Sequence, residues 1–326
     1  MSYKHHLVTG GTGFIGSAIV KRLLRDGHKV RVLDNNSRGL EKRLAECKSD
    51  VELIAGDVRE PEIVANAIRG VDVVHHLAFI NGTENFYRIP HLVLEVGIKG
   101  MMNVIDGCLK HGIGSLFLAS SSEVYQTPPY IPTDETAPLV IPDASNPRYS
   151  YAGGKLASEL IAINFGRKYF ERVVIYRPHN IYGPDMGEEH VIPQFAVRLR
   201  RLCSLQPEGL IGFPIQGTGD ETRAFCYIDD FIEGVMILLE RGEHLGIYHI
   251  GTMEEVTIKD LAQRVAACLE RRIVIIPNEL ASGSTLRRCP EIGKITKLGY
   301  VPKIPLNDGL RIATRWYTDE FSSTKS

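Results

Sequence analysis

Tyr151 and Lys155 are the residues of this sequence whose types and spacing point most directly to chemistry. They lie four positions apart, so a helix would place a phenol and an ammonium on one face. A tyrosine has an ordinary pKa of about 10, so only about one part in a thousand is ionised at neutral pH. Lowering that pKa to ~7 needs about 4 kcal/mol of preferential stabilisation of the phenolate, which nearby positive charge supplies. Such a phenolate removes a hydroxyl proton while hydride leaves the same carbon.

A serine-rich segment gives this pair its context. Residues Ser120 to Glu123 follow a predicted strand with three serines and one glutamate. In a doubly wound sheet the carboxyl ends of the strands border the ligand crevice. A serine hydroxyl at that edge can hydrogen-bond the reacting oxygen beside the tyrosine, whereas the alternative is a polar turn without a chemical role.

A glycine-rich turn lies between the first predicted strand and the first predicted helix. It fits GxGxxG through Gly11, Gly13 and Gly16, and GxxGxxG when read from Gly10. In such a turn the glycines permit the bend, the approach of backbone to a pyrophosphate and close helix–strand packing. The free N–H groups at the start of the helix face the anion. Asp34 ends the next predicted strand 18 residues after Gly16, where a carboxylate binds adenosine ribose hydroxyls.

The residue at position 34 also discriminates between dinucleotides. Its carboxylate repels a 2′-phosphate, which favours NAD over NADP, although Arg38 lies close enough in sequence to accept that phosphate. Asp57 has two interpretations: a hydrogen bond to the adenine amino group, or a cap for the helix that starts near Pro61. The expected NAD contacts are Gly10, Gly13, Phe14, Ile15, Gly16, Asp34, Asp57, Val58, Leu77, Ala78, Tyr151 and Lys155.

Alternating strands and helices in the first half must position these residues. The strand segments are short apolar runs: His6–Thr9, Lys29–Asp34, Val51–Ala55, Val71–Leu77, Ser115–Ser120 and Arg172–Arg177. The helical segments are Gly16–Asp26, Pro61–Arg69, Leu92–His111 and Tyr151–Tyr169. Buried strands that alternate with helices predict right-handed βαβ units, and hence an α/β fold with a doubly wound, Rossmann-type parallel sheet.

The pattern changes after about residue 181. Prolines and glycines punctuate this half, and its helical pieces read as shorter. A further strand over Leu245–Ile250 and a helix over Thr257–Leu269, capped by its first residue, are predicted. The expected organisation is an NAD-binding lobe over residues 1–180, to which residues 224–250 return, and a smaller α/β substrate lobe over residues 181–326.

Length and composition fit a soluble enzyme. The chain has 326 residues, of which 44% are apolar and 24% are charged. With 38 basic and 39 acidic residues the net charge is −1, which gives no global field toward nucleic acid or an anionic membrane. The six cysteines show neither paired nor zinc-ligand spacing, so we expect free thiols, no metal and a cytoplasmic location. Neither a signal peptide nor a membrane span is expected.

Several motifs in fixed order resemble those of the extended short-chain dehydrogenase/reductases. They are TGGTGFIG from Thr9, SSSEVY from Ser120, YAGGK from Tyr151 and RPHNIYGP from Arg177. Together with GTGDETRAFCYIDD from Gly217, they resemble more narrowly the NAD-dependent nucleotide-sugar epimerase/dehydratase family. The resemblance covers nearly the whole chain.

The resemblance implies roles at a catalytic centre. Ser121 corresponds to the family's catalytic Ser/Thr, Tyr151 to its general base, and Lys155 to the electrostatic partner and ribose ligand. Family members share a first step in which a sugar carbon, usually C4, is oxidised to a ketone. Glu123 joins the candidate catalytic residues because a carboxylate beside a 4-keto sugar can remove the acidified C5 proton.

The resemblance also implies a nucleotide-diphosphate sugar as substrate and a homodimer built through a four-helix bundle. The helices over Leu92–His111 and Tyr151–Tyr169 correspond to those of the family's bundle. The expected substrate contacts are Ser121, Ser122, Asn180, Arg223, Arg287 and Arg288, the last two as alternatives for a second cation near the diphosphate.

Three hypotheses for the function follow, the second of which covers two reactions. The leading hypothesis is an epimerase that works through a transient 4-keto intermediate. The second hypothesis rests on Glu123 and is a nucleotide-uronate decarboxylase or a dehydratase. At positions 121–123 the decarboxylase pattern is Thr-Ser-Glu, whereas a dehydratase has Asp-Glu after its threonine. Simple 4-epimerases generally carry a small or neutral residue at that position, and Ser122 replaces the dehydratase acid. A third alternative is a non-catalytic NAD-binding regulatory protein, against which the intact Tyr151 and Lys155 argue.

Two positions depart from the family's pattern. Gly97 stands where relatives commonly carry asparagine, and His179 stands where many carry an apolar or aromatic residue. A histidine at position 179 suits either a packed, hydrogen-bonded side chain or a second acid/base group.

Overall fold

A computed structural model describes residues 4–279 and 285–323. Its strands are β1 (His5–Thr9), β2 (Lys29–Asp34), β3 (Val51–Ala55), β4 (Val73–His76), β5 (Ser115–Ala119), β6 (Arg172–Pro178), β7 (Ile181–Tyr182), β8 (Ile211–Gln216), β9 (Thr222–Ala224), β10 (Cys226–Tyr227), β11 (Gly246–Ile250), β12 (Glu255–Thr257), β13 (Ile273–Asn278) and β14 (Arg287–Arg288). Its α-helices are α1 (Phe14–Arg25), α2 (Pro61–Ile68), α3 (Thr83–Arg88), α4 (Pro90–His111), α5 (Ser150–Tyr169), α6 (Val191–Leu205), α7 (Ile228–Arg241), α8 (Ile258–Ala267), α9 (Gly293–Thr296) and α10 (Leu306–Ser323).

A seven-stranded parallel sheet forms the centre of the fold. The strand order is β11-β6-β5-β4-β1-β2-β3, with β1 and β4 side by side in the middle. The order reverses after β3, because the chain returns past β1 to form β4. This switch point opens a crevice at the carboxyl ends of β1 and β4, where doubly wound sheets bind ligands. The Rossmann-type fold expected from the sequence is confirmed.

Both faces of the sheet are covered by helices. Val8 and Phe117 belong to the core that includes residues of α1 and α7, whereas the adjacent residues Leu7 and Leu116 belong to the core with α2, α4 and α5. Successive strand residues point to opposite faces, so these short strands must be apolar at nearly every position. This requirement explains why the strands appear in the sequence as continuous apolar runs.

The first-half boundaries agree with the expected segments to within two residues. The second half differs more. α6, α7 and α10 are 15, 14 and 18 residues long, so the expectation of shorter helical pieces is wrong. Pro193 looks like a breaker in the sequence, but it is the third residue of α6, where no intrahelical N–H is required.

The elements after residue 181 divide between the central sheet and smaller sheets. β11 pairs with β6 at the sheet's edge, and α7 packs against α1. The small sheet β12-β9-β14 is separate from the central sheet and carries Arg223, Arg287 and Arg288. We propose a lobe boundary near residue 180, with α7 and β11 assigned to the first lobe. Across the described ranges, none of the helices has both the length and the apolar character that crossing a membrane requires.

Candidate active site

A cavity of about 980 Å³ opens at the carboxyl edge of the central sheet. It is a single continuous cleft that runs from the glycine-rich turn to the Tyr/Lys pair. The expected site residues that line it are Gly10, Gly13, Phe14, Ile15, Gly16, Asp34, Asp57, Val58, Leu77, Ala78, Ser121, Ser122, Glu123, Tyr151, Lys155, Asn180 and Arg288. Arg223 and Arg287 are not among the lining residues.

The glycine turn forms one end of the cleft. Gly10 has a φ of +74°, and a Cβ there would lie 2.9 Å from the backbone nitrogen of Ala78. A Cβ on Gly16 would collide with the carbonyl oxygen of Gly10. Gly13 is the N-cap of α1, and the first-turn N–H groups of a helix have no intrahelical partners. The turn therefore lets an anion approach the backbone closely and accept hydrogen bonds from the N–H groups at the start of α1.

Asp34 is fixed at the end of β2 by the backbone. Its carboxylate accepts hydrogen bonds from the N–H groups of Thr12 at 3.0 Å and Asn36 at 2.9 Å. Arg38 follows on the same loop, but its guanidinium donates to the carbonyl of Asn81 and lies 2.9 Å from a carboxylate oxygen of Glu189. The one cation considered for a 2′-phosphate is thus engaged by other groups.

Asp57 has neither a free carboxylate nor a helix-capping role. It forms an ion pair with Arg59 at 2.9 Å and accepts a hydrogen bond from Asn35. The hydrogen bonds from Arg59 outweigh burial and hold the pKa of Asp57 below its usual value. α2 begins at Pro61 with Glu60 as its N-cap and without a side-chain cap bond, so the capping interpretation of Asp57 is wrong.

The Tyr/Lys pair lies at the other end of the cleft. Tyr151 is in the first turn of α5, and its hydroxyl lies in the cleft near that of Ser121. One turn later, the Lys155 ammonium donates to the carbonyl of Ala119 at the end of β5, at 2.6 Å. Burial raises the pKa of Tyr151 to about 12 and lowers the pKa of Lys155 to about 7. The phenol therefore becomes a base only when positive charge is brought close to its oxygen.

Glu123 faces the cleft beside the Ser121–Tyr151 pair. Its carboxylate lies 2.7 Å from a guanidinium nitrogen of Arg288. Burial opposes ionisation, but Arg288, with Arg148 and Arg223 nearby, outweighs it and keeps the pKa of Glu123 below its usual value. Glu123 therefore faces the cleft with its charge paired by Arg288.

The structure separates the two neighbouring arginines. Arg288 lines the cavity with only 8% of its surface exposed, whereas Arg287 pairs with Glu255 at 2.7 Å and is exposed. Adjacent strand residues point to opposite faces, so only one of the two can face the cleft. The sequence could not decide which, because the register of β14 against β9 is set by pairing across more than sixty residues.

The remaining expected substrate contacts lie near the same end. Asn180, with a φ of +44°, lines the cavity and donates to the carbonyl of Ala224 at 2.9 Å. Ser122 is buried and also lines the cavity. The Arg223 guanidinium instead donates to the carbonyls of Thr222 at 2.7 Å and Thr285 at 2.6 Å, and it does not line the cavity.

Some cleft residues were missed by sequence reasoning. Phe79 and Phe86 line the cavity on either side of Tyr151, and His190 lines it at the start of α6. The sequence could have indicated Phe79 as a cleft residue, because it directly follows the expected contacts Leu77 and Ala78. Two residues, Gly97 and His179, depart from the family's sequence pattern. Gly97 lies against Phe79. His179 is buried but does not line the cavity, and its ring lies 4.5 Å from that of His249.

Comparisons with known proteins agree with this arrangement. The NAD dependent epimerase/dehydratase family model matches residues 6–251. UDP-glucuronic acid decarboxylase 1 from Danio rerio is 31% identical over 97% of this chain and 73% of its own length. UDP-N-acetyl-alpha-D-glucosaminuronate decarboxylase from Bacillus cytotoxicus is 29% identical over 97% and 98%. The structure of UDP-glucose 4-epimerase from Thermus thermophilus in complex with NAD aligns with a TM-score of 0.84 at 29% identity, covering 96% of this chain and 98% of that one.

Proposed function

Because this chain belongs to the NAD dependent epimerase/dehydratase family, we propose that it is an NAD-dependent decarboxylase of a nucleoside-diphosphate hexuronate. The observation that carries this choice is the Glu123–Arg288 ion pair of 2.7 Å, placed in the cleft beside Ser121 and Tyr151. Such a pair adds charged groups next to the reacting carbon, which a simple exchange of hydride at C4 does not need.

The residues at the sheet's edge fit NAD. A Cβ on Gly10 or Gly16 would meet backbone, so these glycines suit the close approach of a pyrophosphate, and Asp34 is held at the end of β2, where a carboxylate in such folds binds the adenosine ribose. Tyr151 and Lys155 lie in the same cleft as this turn, so one extended dinucleotide reaches both ends. When bound, NAD supplies the oxidising group that accepts hydride from sugar C4 and returns it, together with a positive charge on its ring.

Tyr151 and Ser121 act at sugar C4. The phenolate of Tyr151 takes the proton of the C4 hydroxyl, and the Ser121 hydroxyl donates a hydrogen bond to the same oxygen. Both groups remain beside that oxygen when it becomes a carbonyl. They are then placed to stabilise negative charge that develops on it, as preorganised donors do in an oxyanion hole.

Arg288 and Glu123 act at C5 and its carboxyl group. A ketone at C4 makes the hexuronate a β-keto acid, so the C5–carboxyl bond breaks, CO2 leaves, and the electron pair moves into the C4 carbonyl. Arg288 is assigned to orient the departing carboxylate through charge-assisted hydrogen bonds. C5 then takes up one proton. Glu123, kept ionised by Arg288, is assigned to hold the water that delivers it.

The test is a panel of nucleotide sugars, with and without a C5 carboxyl group, incubated with the protein in D2O and followed by NMR. We expect CO2 release and a pentose product with deuterium at C5 from a hexuronate, and no conversion of neutral sugars. Glu123→Gln should retain the C4 oxidation, seen as absorbance near 340 nm, and the first release of CO2, but form the C5-protonated pentose slowly. Rapid formation of that pentose by the variant would contradict the assignment of Glu123.

The second candidate is a 4-epimerase, favoured by the structural match to the UDP-glucose 4-epimerase of Thermus thermophilus. Inversion at C4 without exchange at C5 in the same panel would select it. A dehydratase is less well supported, because Ser122 occupies the position of its acid. A non-catalytic binding protein would bind NAD without any turnover, and Tyr151→Phe would then leave every measured property unchanged.

A further inference from the structure

Phe79 occupies a slot between two helices at the catalytic end of the cleft. The residue follows β4 and lines the cavity. A Cβ on Gly97 of α4 would lie 2.5 Å from a carbon atom at the edge of its ring, and a Cβ on Gly154 of α5 would lie 2.9 Å from the ring's tip. Real Cβ atoms do not approach ring atoms so closely, so the ring fits only because both helices carry glycine at these points.

The same ring contacts both members of the catalytic pair. The Lys155 nitrogen lies 4.1 Å from the centroid of Phe79, within cation–π distance. The Tyr151 ring meets Phe79 edge to face, with centroids 5.1 Å apart and an interplanar angle of 81°. Phe86 stacks on Tyr151 at 5.0 Å and 19°. The tyrosine is therefore held between two aromatic rings, and one of those rings also covers the lysine.

We propose that Phe79 is a positioning residue that fixes Tyr151 and Lys155 relative to each other. The Lys155 ammonium is anchored at its tip by the hydrogen bond to the carbonyl of Ala119, but its stem is long and flexible. The ring covers the buried ammonium, so it limits the movement of that group and its access to water. The consequence for catalysis rests on the proposed function, but the positioning itself is a property of the folded chain.

Four variants test the slot. Phe79→Leu removes the ring, and Gly154→Ala adds a methyl group that meets it. Gly153→Ala is the matched control, because a Cβ at the neighbouring position meets only a side-chain atom of Ile141, at 3.9 Å. The double variant Phe79→Leu/Gly154→Ala restores apolar packing between the two helices but leaves the Lys155 ammonium without the ring that covers it. Thermal unfolding of each variant reports whether packing is retained.

The readout is the titration of Lys155 itself, measured by competitive labelling with trace acetic anhydride between pH 6 and 11. Mass spectrometry compares Lys155 with the exposed Lys297 in the same sample. Burial sets the pKa of Lys155 to about 7 in the intact slot. Water entry in Phe79→Leu should raise that pKa by about one unit or more, with a smaller change in Gly154→Ala. Gly153→Ala should match the unaltered protein.

The double variant separates positioning from packing. We expect the double variant to recover thermal stability. Because the ring is still missing, the pKa of Lys155 should remain above its value in the unaltered protein, and NADH should bind about tenfold more weakly. If the pKa of Lys155 recovers together with stability, or if Phe79→Leu leaves it unchanged, the proposal is overturned. No sugar is used in either measurement, so the result is independent of whether the decarboxylase assignment holds.

Discussion

The charges around Glu123 decide which reactions this cleft favours. A partly buried carboxylate costs free energy unless it is paired, and Glu123, whose side chain is 28% exposed, is paired with Arg288 while two further arginines approach. A diphosphate and a sugar carboxylate are both anionic, so this end of the cleft suits a substrate that carries both. The neighbouring Arg287 supplies a control at the adjacent position, because its partner Glu255 lies outside the cleft.

Arg288→Ala is therefore expected to lower kcat/KM for the decarboxylation substrate by about 100-fold or more, since it leaves Glu123 without its partner. Arg287→Ala should change kcat/KM by no more than about twofold, as exposed pairs contribute little. The pair also predicts a pH effect. Arg288 keeps the pKa of Glu123 low, so its removal raises that pKa, and the acidic limb of the kcat profile moves to higher pH. Equal losses in both variants would contradict the assignment.

Glu189 governs how the cleft treats a 2′-phosphate. Its carboxylate holds the Arg38 guanidinium at 2.9 Å, and Asp34 adds negative charge at the ribose position. Glu189→Gln should free Arg38 and strengthen NADP binding about five- to tenfold, with NAD affinity changed less than about twofold. Glu208→Gln removes the same charge from an exposed residue outside the cleft and should leave both affinities unchanged. Isothermal titration with each dinucleotide measures this, and unchanged NADP binding in Glu189→Gln would contradict it.

At the scale of elements, β1 and β4 bury histidines that take no part in the proposed chemistry. His6 and His75 are fully buried, and their ring nitrogens lie 3.0 Å apart. Burial, followed by the neighbouring histidines, lowers the pKa of His6 to about 2, and burial lowers that of His75 to about 3. Both rings are therefore neutral in the folded chain at neutral pH.

These strands should make the fold acid-sensitive. A histidine with a lowered folded pKa takes up protons first in the unfolded chain, so stability is complete above pH 6.5 and is lost as the pH falls toward the folded pKa. Each such histidine lowers the free energy of unfolding by up to about 1.4 kcal/mol per pH unit below pH 6.5. Urea unfolding at pH 7.5, 6.0 and 5.0 should show this slope, reduced in His75→Gln and unchanged in His91→Gln, which alters an exposed histidine. An equal slope in all three proteins would contradict the argument.

How much the sequence predicts also depends on the element. β1, β5 and β6 are predictable because each is short, largely apolar and buried at nearly every position, which local pattern alone reveals. The glycine turn and the Tyr/Lys pair are also predictable from local pattern, because the residues of each are close together in the sequence. The side of the sheet that Arg288 faces, and the slot that accepts Phe79, depend on residues brought together from β14, β9, α4 and α5, so no local pattern contains them.

At the scale of the whole molecule, the outer faces of α4 and α5 carry apolar residues that the described part of the chain leaves uncovered. Ile98, Leu109 and Leu160 are 37%, 38% and 53% exposed. Ile98 and Leu109 lie eleven residues apart, about three helical turns, and so share one face of α4. α4 and α5 pack against each other, so two copies of the pair can form a four-helix bundle.

We therefore predict a homodimer through α4 and α5, with a mass in solution of twice 36.3 kDa by light scattering at micromolar concentration. Ile98→Glu/Leu160→Glu should shift the protein to a monomer, because burying two carboxylates across a bundle costs more than the apolar contact contributes. Leu205→Glu is the matched control: Leu205 on α6 is 73% exposed and lies outside this face. A monomeric unaltered chain, or a double variant that still dimerises, would show that the apolar faces of α4 and α5 do not form the interface. Since Tyr151 and Lys155 belong to α5, a loss of NADH affinity on dissociation would further indicate that the partner copy steadies the catalytic pair.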